Sequence, residues 1–190
     1  WPETLGFPDT EGEARWAKVD DLLDSLEANH VNTIWLNGGA ARLQAEYARR
    51  AAGRGIRLVA AVGNIHTEIK RLRQGYEQRV KQVLEDWGDA PRPLAWGIGD
   101  EPYTVAMPEV AECARMWKAR NEPITLVDMP RDVPSAIELV PLDYICTDVY
   151  PFFGEGCLNG PNTQAQSMAF ILDVMDKMVR LTDAHKKMPA

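Results

Sequence analysis

The stretch Leu94-Ala95-Trp96-Gly97-Ile98-Gly99-Asp100-Glu101-Pro102 (LAWGIGDEP) decides how this chain folds. An apolar run from Leu94 to Ile98 leads into two carboxylates, Asp100 and Glu101, and Pro102 stops it at once. A short, continuous apolar run bounded by glycine and proline reads as a strand buried on both faces, the kind that parallel sheets use. In parallel α/β proteins the carboxyl end of a strand faces the ligand site. Glu101 is therefore the first candidate for a catalytic group, with Asp100 beside it. The competing reading is local: acidic side chains also favour the start of a helix, so the pair could simply open the next one.

Four further strand-like runs flank this one: Val31–Leu36 (VNTIWL), Ile56–Val62 (IRLVAAV), Pro123–Asp128 (PITLVD) and Tyr144–Tyr150 (YICTDVY). Between them the apolar positions move to steps of three and four, the period of one buried helix face. Trp16, Val19, Leu23 and Leu26 mark a first helix, and Ile69, Leu72, Tyr76, Val80, Val83 and Trp87 a third. Val110, Ala114 and Trp117 mark a helix over about Pro108–Arg120, and Met168, Ile171, Met175 and Met178 the last. This methionine stripe reads as core packing. Strand alternating with helix, with apolar strands throughout, predicts an α/β fold with a parallel sheet. No GxGxxG or GxxxxGK[ST] follows any strand, so the usual sign of an open nucleotide-binding sheet is missing. Polar groups instead gather at strand ends: Asn37, Asn64, His66, Asp100, Glu101, Asp128, Asp148 and Tyr150. Convergence of that kind is what the mouth of a (β/α)8 TIM barrel needs. Such a barrel typically takes about 250 residues. The 190 residues here hold five readable strands, so the expectation is one incomplete barrel domain, from about the second strand to the sixth helix.

Composition narrows the partners. A net charge of −7 without clusters of Lys and Arg argues against a nucleic-acid surface, which needs basic contacts to phosphates. No run approaches the roughly 20 apolar residues of a membrane span. The three cysteines, Cys113, Cys146 and Cys157, have neither CxxC nor Cys/His spacing, so no disulfide framework, structural zinc or other cofactor is expected. Cys146 sits in an apolar run and reads as a small buried hydrophobe. Compartment is not legible, since the chain opens Trp1-Pro2 with no targeting pattern.

With GDEP ending one strand and DVYP ending another, the chain resembles the clan of retaining glycoside hydrolases built on (β/α)8 barrels. In that clan an Asn-Glu-Pro motif ends the fourth strand and its glutamate is the acid/base. The resemblance implies that role for Glu101, makes Tyr144–Tyr150 the sixth strand, and puts the nucleophile at the end of a seventh strand beyond Ala190. On that reading the chain alone has no glycosidase activity. Asp100 stands where the clan carries asparagine; an ionised Asp accepts a hydrogen bond from a sugar hydroxyl but cannot donate one, and it adds a like charge beside Glu101.

Cleaving a glycoside requires one carboxyl held protonated to donate to the leaving oxygen and a second, ionised, to attack or to activate water. Aromatic rings near the acid, Trp96, Tyr103 and Tyr150, would raise its pKa by desolvation. Asn37, His66, Asp100, Asp128, Asp148, Tyr150 and Tyr103 are the candidate substrate-binding residues, and Trp35, Phe152 and Phe153 possible subsite walls. Two other functions fit the same residues. His66, Glu101, Asp128 and Asp148 could converge on a divalent cation in a sugar isomerase or hydrolase barrel, although no HxH or HExxH pair is present and His30 and His185 lie at helix ends. A barrel lacking the nucleophile could instead bind carbohydrate without cleaving it.

Overall fold

The computed structural model describes residues 12–61, 75–102, 104–128, 131–147, 164–184 and 188–189. The elements run α1 (Gly12–Ala28), β1 (Thr33–Asn37), α2 (Ala41–Ala52), β2 (Arg57–Ala61), α3 (Tyr76–Trp87), β3 (Ala95–Asp100), a 3₁₀ turn (Thr104–Ala106), α4 (Met107–Lys118), β4 (Ile124–Asp128), α5 (Val133–Leu139), β5 (Tyr144–Thr147), α6 (Gln164–Ala184) and the two-residue β6 (Met188–Pro189). The strands follow chain order in the sheet, and β1 with β2, β4 with β5, and β5 with β6 pair in parallel. This is an α/β fold of alternating strand and helix, in the order of consecutive units of a partial TIM barrel. Each predicted strand is present with its described ends within two residues of those expected; Val62, the expected end of the second, and 148–150, the expected end of the last, lie outside the described residues.

The chain packs as two compact units: Trp1–Gly63 with Gln78–Trp96, and Asn64–Glu77 with Gly97–Ala190. In the first, α1 packs on α2 and α2 on β2. Val19 and Leu23 of α1, the alanine face Ala45, Ala48 and Ala51 of α2, and Leu58, Val59 and Ala60 of β2 are all buried. Alanines on that face let the helix lie close to the sheet, and the solvent side of α2 carries arginines paired to carboxylates of α1 and α3. Trp87 is fully buried and meets Trp96 edge-on, ring centroids 4.8 Å apart, while its Nε1 donates to Pro91 O at 3.2 Å.

In the second unit Val110, Ala114 and Trp117 of α4, Ile124 and Leu126 of β4, Val133 and Ile137 of α5 and Ile145 of β5 form the core. Trp117 Nε1 donates to the Tyr76 hydroxyl at 2.9 Å, which satisfies both polar tips inside apolar surroundings. Asp143 joins three elements: it accepts from Lys118 Nζ at 2.6 and 2.8 Å and from the Ile124 N–H at 2.8 Å, so the end of α4 and the starts of β4 and β5 are tied at one carboxylate.

Two packing expectations are corrected. On α6 the buried residues are Val174, Met178 and Thr182 among those whose side chains are described, Met168 not being one of them, whereas Met175 is 57% exposed. Met178 is buried as expected, but the buried row runs through the i±4 positions Val174, Met178 and Thr182, and the Thr182 hydroxyl turns back to Met178 O at 2.9 Å instead of seeking water. Cys146 is half-buried, its Sγ 3.9 Å from Thr125 Oγ1. His30 is exposed beyond the end of α1, as expected; His185 lies outside the described residues.

Candidate functional site

Strand β3 alternates Trp96 and Ile98 with Gly97 and Gly99, and all four are buried. The glycine at 99 is a packing necessity: a Cβ there would stand 2.7 Å from Leu126 Cδ1, well inside van der Waals contact. The Leu126 side chain of β4 thus lies over β3 just before its acidic end. Asp100, half-buried, is its last residue. Glu101 then leaves the strand at φ +47°, while its N–H still donates to Val127 O at 2.9 Å.

That backbone is costly. The left-handed region disfavours a residue with a Cβ by about 1–2 kcal/mol, and a following proline restricts it further. Among the described residues, the other non-glycine positions at positive φ, His30 and Asn121, each follow the end of a helix, where a left-handed residue is the ordinary way to stop. Glu101 follows a strand. Its strain has no helix to end.

The bond to Val127 O sets Glu101 alongside Asp128, the last residue of β4, which is 1% exposed. Asp128 in turn is the register partner of Thr147, the last residue of β5. Glu101, Asp128 and Thr147 therefore form a row across three adjacent strand ends, each about 4.8 Å from the next in backbone spacing. The Thr147 hydroxyl is buried without a hydrogen-bond partner among the described residues. The loops beyond are fastened together: Thr104 Oγ1, in the 3₁₀ turn after Glu101, donates to Asp132 Oδ1 at 2.9 Å just before α5.

In the first unit, Asn37 ends β1 exposed, followed by Gly38 and Gly39 at positive φ. Buried Gln44 of α2 donates through Nε2 to Gly38 O at 2.6 Å and to Ala61 O at 2.9 Å, fixing the carboxyl ends of β1 and β2 together. Trp35 is half-buried within β1.

Of the residues singled out from sequence, Glu101 and Asp128 are backbone neighbours at adjacent strand ends, with Asp100 next in the chain. His66, Tyr103, Asp148 and Tyr150, with Asn64, Phe152 and Phe153, lie outside the described residues. Among the described residues no three His, Cys, Asp or Glu side chains gather as a metal site would require, and two of the four groups suggested for a cation, His66 and Asp148, are not among them. No helix among the described residues is long and apolar enough to cross a membrane. Sequence reasoning missed Thr147 and Gln44. Thr147 stands one residue before Asp148 at the close of an apolar run, and Gln44 is the one polar residue on the alanine face of α2; each is a polar interruption in a buried pattern. No protein-family model matches this chain, and no curated protein matches it.

Proposed function

We propose that this chain is a glycoside hydrolase-like catalytic domain, that its substrate is a carbohydrate, and that Glu101 is the general acid/base for cleavage of an O-glycosidic bond. The observation that carries the reading is the strained backbone of Glu101 at a parallel strand end, set beside buried Asp128. Strain of about 1–3 kcal/mol persists only where the surroundings impose it, and it gathers at sites where a side chain must be aimed.

In this reading Glu101 protonates the leaving oxygen as the bond breaks and then takes a proton from the incoming water. Asp100, Asp128 and the Tyr103, His66, Asp148 and Tyr150 side chains bind sugar hydroxyls. A carboxylate accepts from a hydroxyl at little cost, and several such bonds from successive strand ends orient a polyol whose faces are otherwise alike.

The test is Glu101→Gln in the protein that carries this chain. Turnover of an unactivated glycoside falls by about 10²–10⁴-fold, the usual worth of general acid–base catalysis. A glycoside with a good leaving group needs less protonation and loses much less in the bond-breaking step. Equal losses on both substrates, or none, reject the acid role.

A further inference from the structure

The first unit carries a cation with no partner among the described residues at the mouth of a preformed cleft. Four of its arginines hold carboxylates: Arg42 on Asp86 at 2.9 Å, Arg49 on Asp89 at 2.7 Å, Arg50 on Asp20 at 2.5 Å and Arg54 on Asp24 at 2.5 Å. Arg57, the first residue of β2, is exposed, and its guanidinium has no partner among the described residues. In a chain with 28 acidic side chains and a net charge of −7, a free arginine beside so many paired ones asks for a reason.

The reason lies next to it. Arg57 and Arg92 are exposed at a cleft of about 170 Å³ whose floor, Ala48, Ile56, Leu58 and Pro93, is buried and whose rim includes exposed Ala52, Gly55 and Pro91. One wall is stiff: Pro91 and Pro93 fix their own φ, and buried Trp87 holds the Pro91 carbonyl. A drug-sized ligand needs some 300 Å³ or more, but an apolar cavity of about 150 Å³ accepts a benzene ring. The cleft therefore suits one ring or a short alkyl chain, with a guanidinium waiting at its mouth. A guanidinium pairs with a planar carboxylate through two parallel hydrogen bonds. The cleft opens at the amino end of β2, whereas sugar chemistry in a parallel α/β fold belongs to the carboxyl ends.

We infer that this cleft binds a small carboxylate carried on one apolar group, with Arg57 taking the carboxylate and the Ala48–Ile56–Leu58–Pro93 floor taking the apolar body. The site is independent of the Glu101 reading. It is tested by titrating the full chain with benzoate, benzyl alcohol and sulfate while following backbone amide NMR signals. Benzoate binds in the millimolar range and shifts the amides of Ala48, Ile56 and Leu58. Benzyl alcohol and sulfate, each carrying half of the ligand's chemistry, bind about 10-fold more weakly or worse. Arg57→Gln weakens benzoate by about 10-fold, the worth of one charge-assisted contact. Ala52→Leu, which adds bulk at an exposed position lining the same cleft, abolishes binding with the fold intact. Absence of benzoate binding, equal affinity in Arg57→Gln, or sulfate binding as tightly as benzoate overturns the inference.

Discussion

At Gly99 and Glu101, two positions apart, adding a Cβ and removing one shift stability in opposite directions. Gly99→Ala puts a methyl 2.7 Å from the tip of a Leu126 side chain that is itself fully buried, so that side chain must shift within a packed core. Overpacking of that kind costs about 1–3 kcal/mol. Glu101→Gly removes the Cβ from a left-handed residue and gains about 1 kcal/mol. Urea midpoints fall for the first variant and rise for the second; a Glu101→Gly chain less stable than the parent shows that the carboxylate supports the fold and rejects the strain argument. Neither effect is legible from the string GDEP. The sequence gives the identity of the acid and its place at a strand end, but the left-handed φ and the approach of Leu126 arise from pairing between strands that are far apart in the chain.

At the scale of elements, strands and long helices were legible because burial on both faces and the 3.6-residue period leave marks in a single sequence, as at Leu58-Val59-Ala60 and at Val110, Ala114, Trp117. Helix α5 was not read: seven residues with Pro134 near the start give too few turns for a period. On α6 the methionines drew attention from Val174, since hydrophobicity alone does not fix which of two neighbouring faces is inward. Row partners such as Thr147 depend on register, which no local pattern encodes. Helix α2 yields a pH prediction. Tyr47 packs edge-on to Trp16 at 5.3 Å, and burial pushes its phenol above the ordinary value, partly offset by the Arg15 charge. The raised pKa makes its stabilisation fully present below about pH 10, where the unfolded phenol begins to ionise, and progressively lost as pH rises toward the folded value. Urea midpoints measured from pH 8 to 11 therefore decline less steeply for Tyr47→Phe than for the parent. Parallel curves remove Tyr47 from the alkaline response.

Taken as a whole, the chain is an acidic polyelectrolyte with pI near 5.0. Repulsion between molecules is weakest where net charge vanishes, so solubility passes through its minimum near pH 5 and improves steadily toward pH 7. A minimum displaced by more than about one pH unit would mean that carboxylate pKa values in the folded chain depart widely from their usual range. The six tryptophans add a different kind of property. Trp87 and Trp96 lie in one unit with their indoles 4.8 Å apart and 73° between planes. Transition dipoles that close and that far from parallel exchange excitation, and split one absorption band into a pair of circular dichroism lobes of opposite sign. The protein thus contains its own optical reporter for one half of the chain, silent about the other, and loss of the couplet on heating times the opening of that half without any added label.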